Sequence, residues 1–343
     1  MRSLIRTLPV GDTFQGSPKS SKSRSSSGYL PASHRTTDTC IHRSDAVKSQ
    51  SEIRESITDQ IIQALKDGGL PPWRRNWSDD PNAPGLHTSL STGNPYRGIN
   101  QLVLQLSAMR RGYKSKWWGT FHQIRQQNSS VRKGEKGHRV VLWKPVSRTS
   151  TNEKGNEIDE KFLVMKEFVI FNAEQTTGLE KFQVGFSKPT GNPVEHYEEA
   201  DRVIAATEAE IEYGGNQPAY RLHDDVIQLP FRHQFDTPEA FYETILHEIV
   251  HWSEKDGRVG RKEAHKYAFG ELVAEIGACQ LMAELHLPTC NFANSAAYVA
   301  GWLTGLENDS KFIFAAAAQA SRCVDFILSF SREAVEELEE AAA

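Results

Sequence analysis

Cysteine is scarce in this 343-residue chain: the four thiols, at positions 40, 279, 290 and 323, are far apart and show no C-x-x-C spacing. That argues against a disulfide framework and against a cysteine-built metal knuckle, and leaves the thiols as small buried hydrophobes. Long apolar runs are missing too. With 38% hydrophobic and 24% charged residues and no stretch approaching 18 apolar positions, the chain reads as globular, with no membrane contact. The opening MRSLIRTLPVGDTF breaks its apolar pairs around Pro9 and Gly11, so it fails as a secretory signal and a cytoplasmic location is expected. Aromatic residues are nearly absent before residue 50, and SPKSSKSRSSSG offers too little apolar surface to offset ordering entropy; residues 1–50 are expected to be a disordered tail.

Acidic residues are the scarce class in one segment. Between Pro71 and Arg148 stand fourteen Lys/Arg but three Asp/Glu, in a chain whose net charge is -4. The remainder is therefore acidic, an asymmetry that suggests one part of the chain meets a polyanion. Five of the seven tryptophans fall between Trp73 and Trp143 in the same segment. Aromatic platforms stack bases while cations follow phosphates, the chemistry of sequence-tolerant single-strand binding. The expected DNA contacts are Trp73, Arg74, Arg75, Trp77, Tyr96, Arg97, Lys114, Lys116, Trp117, Trp118, Arg132, Lys133 and Lys136. The last three belong to VRKGEKG, a glycine-bearing basic turn whose backbone N–H groups also suit phosphate.

Apolar periodicity sets out the elements. Ile53, Ile57, Ile61 and Leu65 recur every four residues behind Ser51 as a cap and stop at Gly68-Gly69, which predicts an amphipathic helix. A second helix is predicted from Asn100 to Arg111. HRVVLWKPV and KFLVMKEFVIFN read as strands separated by the polar SRTSTNEKGNEIDE. KFQVGFSKPTGNP carries the punctuation of a linker. Beyond it come a helix (HYEEADRVIAATEAEI), short strands at Ala219 to Leu222 and in DDVIQLP, and helices from Thr237 onward. The expected class is α+β with two domains: a tail (1–50), an α+β single-stranded-DNA-binding domain (51–180), a linker (181–195) and a mostly helical domain (196–343).

The helix beginning at Asp236-Thr237-Pro238 contains His247-Glu248-Ile249-Val250-His251. Histidines four apart share one helical face and can reach one ion, while Glu248 projects beside it as a general base for water. The motif alone is short enough to arise by chance, so the flanking sequence has to decide. Glu271 and Glu275, four apart on the next, otherwise apolar helix, should not both be buried without a partner. Glu271 is assigned as third ligand and Glu275 as the carboxylate accepting a ring N–H of a metal-bound histidine; the reverse assignment is close behind, and His265 is a further alternative. Zinc is the expected ion for two imidazoles and a carboxylate, with manganese as the alternative. DDVIQLP is expected to offer an edge for an extended peptide, with Tyr220 and His223 as candidate oxyanion donors.

The chain resembles the ArdC family of antirestriction proteins. The resemblance rests on ITDQIIQALKDGGLPPWRRNW, TGNPYRGIN, WWGTFHQI, VRKGEKG and FVIFNAEQTTGL in the first domain, and on DDVIQLP, HEIVHWSEKDGRVGR and ELVAEIGACQL in the second. It implies an N-terminal single-stranded-DNA-binding domain, shared with TraC-type plasmid primases, joined to a zincin-like metallopeptidase domain. It also implies protection of incoming plasmid DNA during conjugation. The E-x-x-A-E-x-x-A run from Glu271 is similar to zincin helices whose first acid binds metal, which favours Glu271 over Glu275. A protein substrate or a component of the restriction system is the further partner expected. Two competing readings are a DNA-tethered zinc protease of general or repair role, and a non-enzymatic single-strand-binding protein with structural zinc.

Overall fold

Ile53, Ile57, Ile61 and Leu65 fall on one buried stripe of helix α1 (Gln50–Lys66), as their spacing predicts. The cap is Ser49, not Ser51: its hydroxyl accepts the Glu52 N–H while the Glu52 carboxylate accepts the Ser49 N–H, a reciprocal capping box. The computed structural model describes residues 48–68, 71–74, 80–83, 85–151, 157–186, 193–261, 267–288 and 296–342. The tail before residue 48, Arg75, Trp77 and His265 lie outside the described residues.

The architecture is a mixed α/β domain followed by a largely helical one. In the first domain, strand β1 (Thr88–Ser89), helix α2 (Ile99–Arg111), strand β2 (Trp117–Thr120), helix α3 (Phe121–Gln126), strand β3 (Ser130–Val131), strands β4 (His138–Thr151) and β5 (Glu157–Asn172), and strand β6 (Thr176–Thr177) follow in order. The main sheet has the order β1-β2-β5-β4, with β1 parallel to β2 and the other pairs antiparallel; β3 and β6 form a separate pair. The polar stretch expected to separate two strands is itself strand at both ends. Register runs from His138 opposite Ile170 out to Thr151 opposite Glu157, making a long ribbon.

The second domain comprises helix α4 (Pro193–Ala206), strands β7 (Glu210–Tyr213), β8 (Ala219–Arg221) and β9 (Val226–Leu229), and helices α5 (Pro238–Ser253), α6 (Tyr267–Glu284), α7 (Ala296–Asn308) and α8 (Phe312–Ala342). The predicted opening helix ends at Ala206, because its last predicted turn, Glu210–Ile211, becomes the start of β7. The small sheet has the order β7-β9-β8, so DDVIQLP supplies the central strand and not an edge. The edge beside α5 is β8.

From Val47 onward the chain is one compact unit. Its largest core cluster is built from α4 to α8 yet also takes in the buried stripe of α1, Trp73, Leu102 of α2 and Met165 of β5. Trp73 meets Trp302 of α7 edge to face, with centroids 5.5 Å apart. A smaller cluster (Leu104, Ala108, Trp118, Val140, Ile170) lies between α2 and the sheet. In α8, Phe312–Arg332 has the length and apolarity to cross a membrane, but 61% of that stretch is buried inside the fold. It packs against α6, α5 and α4 as a core helix.

Candidate metal centre and nucleic-acid surface

Thr237 caps α5 by accepting the Ala240 N–H at 3.2 Å, and Pro238 occupies its first turn, where a missing N–H costs nothing. One face of α5 is buried by Phe241, Ile245, Leu246 and Ile249. The helix turns His247 and His251 together, with their Nε2 atoms 3.2 Å apart. Glu271 reaches both from α6: its Oε2 lies 3.5 Å from His247 Nε2 and its Oε1 3.6 Å from His251 Nε2. Ligand atoms from all three lie within 4.8 Å of one another. α6 can approach this closely because Gly277 faces Val250: a β-carbon there would sit 2.8 Å from Val250 Cγ2.

Burial opposes a charge on His247, but the hydrogen bond to Glu271 and the carboxylates of Glu248, Glu271 and Glu275 outweigh it and raise the ring's pKa. Desolvation pushes Glu271 upward, while His247 and His251 outweigh it and hold the carboxyl below its ordinary range. The three side chains thus form a convergent donor set of two imidazoles and one carboxylate, which suits a divalent cation.

Glu248 is 7% exposed, and its Oε2 accepts the Tyr220 N–H of β8 at 2.7 Å. That contact lays the edge strand across the helix beside the histidines. The turn after β8 is anchored by Asp225, which accepts the Tyr220 hydroxyl at 2.7 Å and binds Arg258 through both carboxylate oxygens and Lys255 through one. Arg258, whose guanidinium stacks 3.8 Å above the Trp252 ring, holds the Asp225 carboxyl well below the usual carboxylate range against the opposing effect of burial. Tyr220 is therefore committed to Asp225, and His223 is fully exposed on Asp224, so neither candidate oxyanion donor faces the triad.

Two assignments around the triad change. Glu275 does not face a histidine ring; its Oε1 accepts Arg74 Nε at 3.0 Å and Nη2 at 2.8 Å, while Arg74 Nη2 also reaches Glu243 Oε1 at 2.5 Å. The acid beside His251 is Glu254, with Oε2 3.9 Å from its Nδ1 and 2.7 Å from Arg261 Nη2. Glu254 was not among the residues predicted for the site. Its 1% side-chain exposure gives it the burial of a paired acid.

The predicted DNA contacts divide. Trp73 and Trp118 are core residues, at 3% and 0% exposure, and Arg74 is buried in its ion pairs, so these three do not form a surface. Burial raises the Tyr96 hydroxyl to about 12, and the half-buried ring packs on the Trp118 cluster. Lys114, Lys133 and Lys136 are exposed, and Arg132 is exposed beside Glu135. Arg97, Lys116 and Trp117 come together in a cleft of about 520 Å³, shared with His286 and Arg332 of the helical domain. Lys116 Nζ lies 5.6 Å over the Trp117 ring, and Arg97 binds Asp325 at 2.6 Å. On the ribbon Phe162 and Phe168 are exposed rings that the sequence reading did not single out, and Trp143 of the basic segment is exposed as well.

Comparison with known proteins bears on both regions. Residues 51–171 match the N-terminal domain of anti-restriction factor ArdC, and residues 198–319 match a zincin-like metallopeptidase family. The crystal structure of the antirestriction ArdC protein from plasmid R388, metal-free, is 34% identical, with a TM-score of 0.68 over 82% of this chain and 98% of that one. The chain belongs to the ArdC antirestriction family. The Mn(II)-bound structure of the same ArdC protein is similar at 33% identity and a TM-score of 0.66, covering 81% and 98% of the two chains. An uncharacterized Sinorhizobium fredii protein, y4eC, is 31% identical over 82% of this chain and 92% of its own length. Two Escherichia coli DNA primases named TraC are 34% and 32% identical, but this chain spans only 28% and 21% of their lengths.

The expectation of zinc is corrected by these ArdC structures, which are metal-free and Mn(II)-bound. The physical reason lies in the donor set: two imidazoles and a carboxylate without a thiolate select weakly among divalent ions, so the motif read as zinc does not name its metal.

Proposed function

We propose that this ArdC-family chain binds single-stranded DNA and protects incoming plasmid DNA from restriction during conjugation, and that its helical domain is a metal-dependent peptidase acting on a protein of the restriction machinery. The observation that carries the reading is the match along 98% of an antirestriction ArdC protein, combined with the convergence of His247, His251 and Glu271 in the helical domain. We put the division between the two functions at residues 181–195, a reading supported by family matches that cover 51–171 and 198–319.

For the DNA-binding function, the cleft of Arg97, Lys116, Trp117, His286 and Arg332 combines a ring for stacking with cations for phosphate. For the peptidase function, His247, His251 and Glu271 would hold a divalent ion, manganese being the one to test first, and that ion would supply Lewis-acid polarisation of a carbonyl. Glu248 is the general base. With Oε2 engaged by the Tyr220 N–H, Oε1 is the oxygen that takes a proton from water. The edge strand β8, held against α5 by that contact, is where an extended peptide would add main-chain hydrogen bonds.

Plasmid transfer into a restricting recipient, scored alongside peptide cleavage, tests the reading. Glu248→Gln should keep Mn(II) and fold while abolishing cleavage. Full protection by that variant would show that peptidase chemistry is not needed. Salt-insensitive binding to oligo(dT), or equal preference for duplex, would overturn the single-strand assignment.

A further inference from the structure

Arg74 is the most deeply buried cation beside the metal centre, with 3% of its side chain exposed. It enters from the segment after α1, yet both acids it binds belong to the helices that carry the triad. Glu243 stands four residues before His247 on α5, and Glu275 four residues after Glu271 on α6. Residues four apart share a helical face, so the guanidinium fills the space one turn along from the ligands on both helices at once.

The backbone of Arg74 leads in the other direction. Gln105 Nε2 of α2 donates to the Arg74 carbonyl at 3.2 Å, and Gln105 Oε1 lies 3.0 Å from His87 Nε2. His87 Nδ1 accepts the Trp118 indole N–H at 3.0 Å. Since Nδ1 is an acceptor, Nε2 carries the proton and donates to Gln105, which fixes every donor and acceptor along the chain. His87, Gln105 and Trp118 are all buried. Trp118 lies in β2 next to Lys116 and Trp117, the residues of the DNA-facing cleft.

We propose that Arg74 is a positioning residue for the metal centre, and that the buried relay Trp118–His87–Gln105–Arg74 joins the nucleic-acid-binding sheet to the metal-bearing helices. The metal site is then a product of both domains: its ligands sit on α5 and α6, but their spacing is set by a cation that the first domain delivers. This rests on the metal-centre reading above. Contiguity is not by itself coupling, so the test measures coupling.

The experiment titrates Mn(II) into the full chain and follows free Mn(II) by electron paramagnetic resonance, with and without saturating oligo(dT). Arg74→Lys keeps the charge but loses the planar fork, and at least tenfold weaker Mn(II) binding is expected in protein whose circular dichroism and melting remain cooperative. Arg74→Met combined with Glu243→Gln and Glu275→Gln removes all three charges, leaves no unpaired ion, and should also bind at least tenfold more weakly. Gln105→Leu, remote from the ligands, should weaken binding about threefold and reduce any change in Mn(II) affinity caused by oligo(dT). Lys66→Ala, which breaks the exposed pair with Glu307, should change nothing. Wild-type Mn(II) affinity in the folded Arg74 variants would overturn this proposal alone. Failure of the wild-type chain to bind Mn(II) would overturn the metal-centre reading and this proposal with it.

Discussion

Asp225, half-buried beside the site, has three partners, Tyr220, Lys255 and Arg258, and its behaviour can be isolated. Its carboxyl is depressed chiefly by Arg258, so its contribution to stability is present above the unfolded-state pKa and disappears as pH falls through the lower folded value. Asp225→Asn should therefore melt at lower urea than wild type at pH 7. That gap should narrow as pH falls below about 4, the ordinary range of an aspartate. Cys323 makes a second prediction: burial raises its thiol to about 12, so at pH 8 it holds almost no thiolate. Mass spectrometry after iodoacetamide should find Cys323 unmodified in native protein and alkylated in urea. Rapid native labelling would contradict its place in the core.

The α5–α6 pair depends on one missing side chain. Gly277→Ala should gain about 1 kcal/mol of helix propensity but lose about 1–3 kcal/mol to overpacking against Val250. Since α5 and α6 each carry ligands, the loss should prevail, with a lower urea midpoint and weaker Mn(II) binding together. Elements of this kind were legible where local pattern decides them. The four-residue recurrence from Ile53 to Leu65 and the Thr237-Pro238 start of α5 are local signals, and the histidine pair follows from one helix alone. Arg74 was misread as a phosphate contact because its partners lie 169 and 201 residues away, beyond any local pattern. Glu275 was misread for the same reason, and DDVIQLP was taken for an edge because strand order in a sheet is set by tertiary pairing. Trp73 and Trp118 show that a tryptophan's type does not reveal whether it is a platform or a core anchor.

At the scale of the whole molecule, the cleft proposed for single-stranded DNA draws on both domains. Affinity for oligo(dT) should fall linearly on a log–log plot against salt, and Lys116→Ala should reduce the slope by about 0.7 if Lys116 meets one phosphate. Arg332→Ala, on α8, should do the same, although that residue is more than 200 positions along the chain from Lys116. Loss of affinity with an unchanged slope would place these cations away from the strand. The buried Arg74 adds a consequence in time. Glu275 is made 201 residues after it, which at about 5–20 residues per second is a delay of roughly 10–40 s during synthesis. Glu243 follows Arg74 by 169 residues, so for most of that interval the front of the chain carries a cation with neither native acid made, and its buried ion-pair cluster is complete only once α6 has been synthesised.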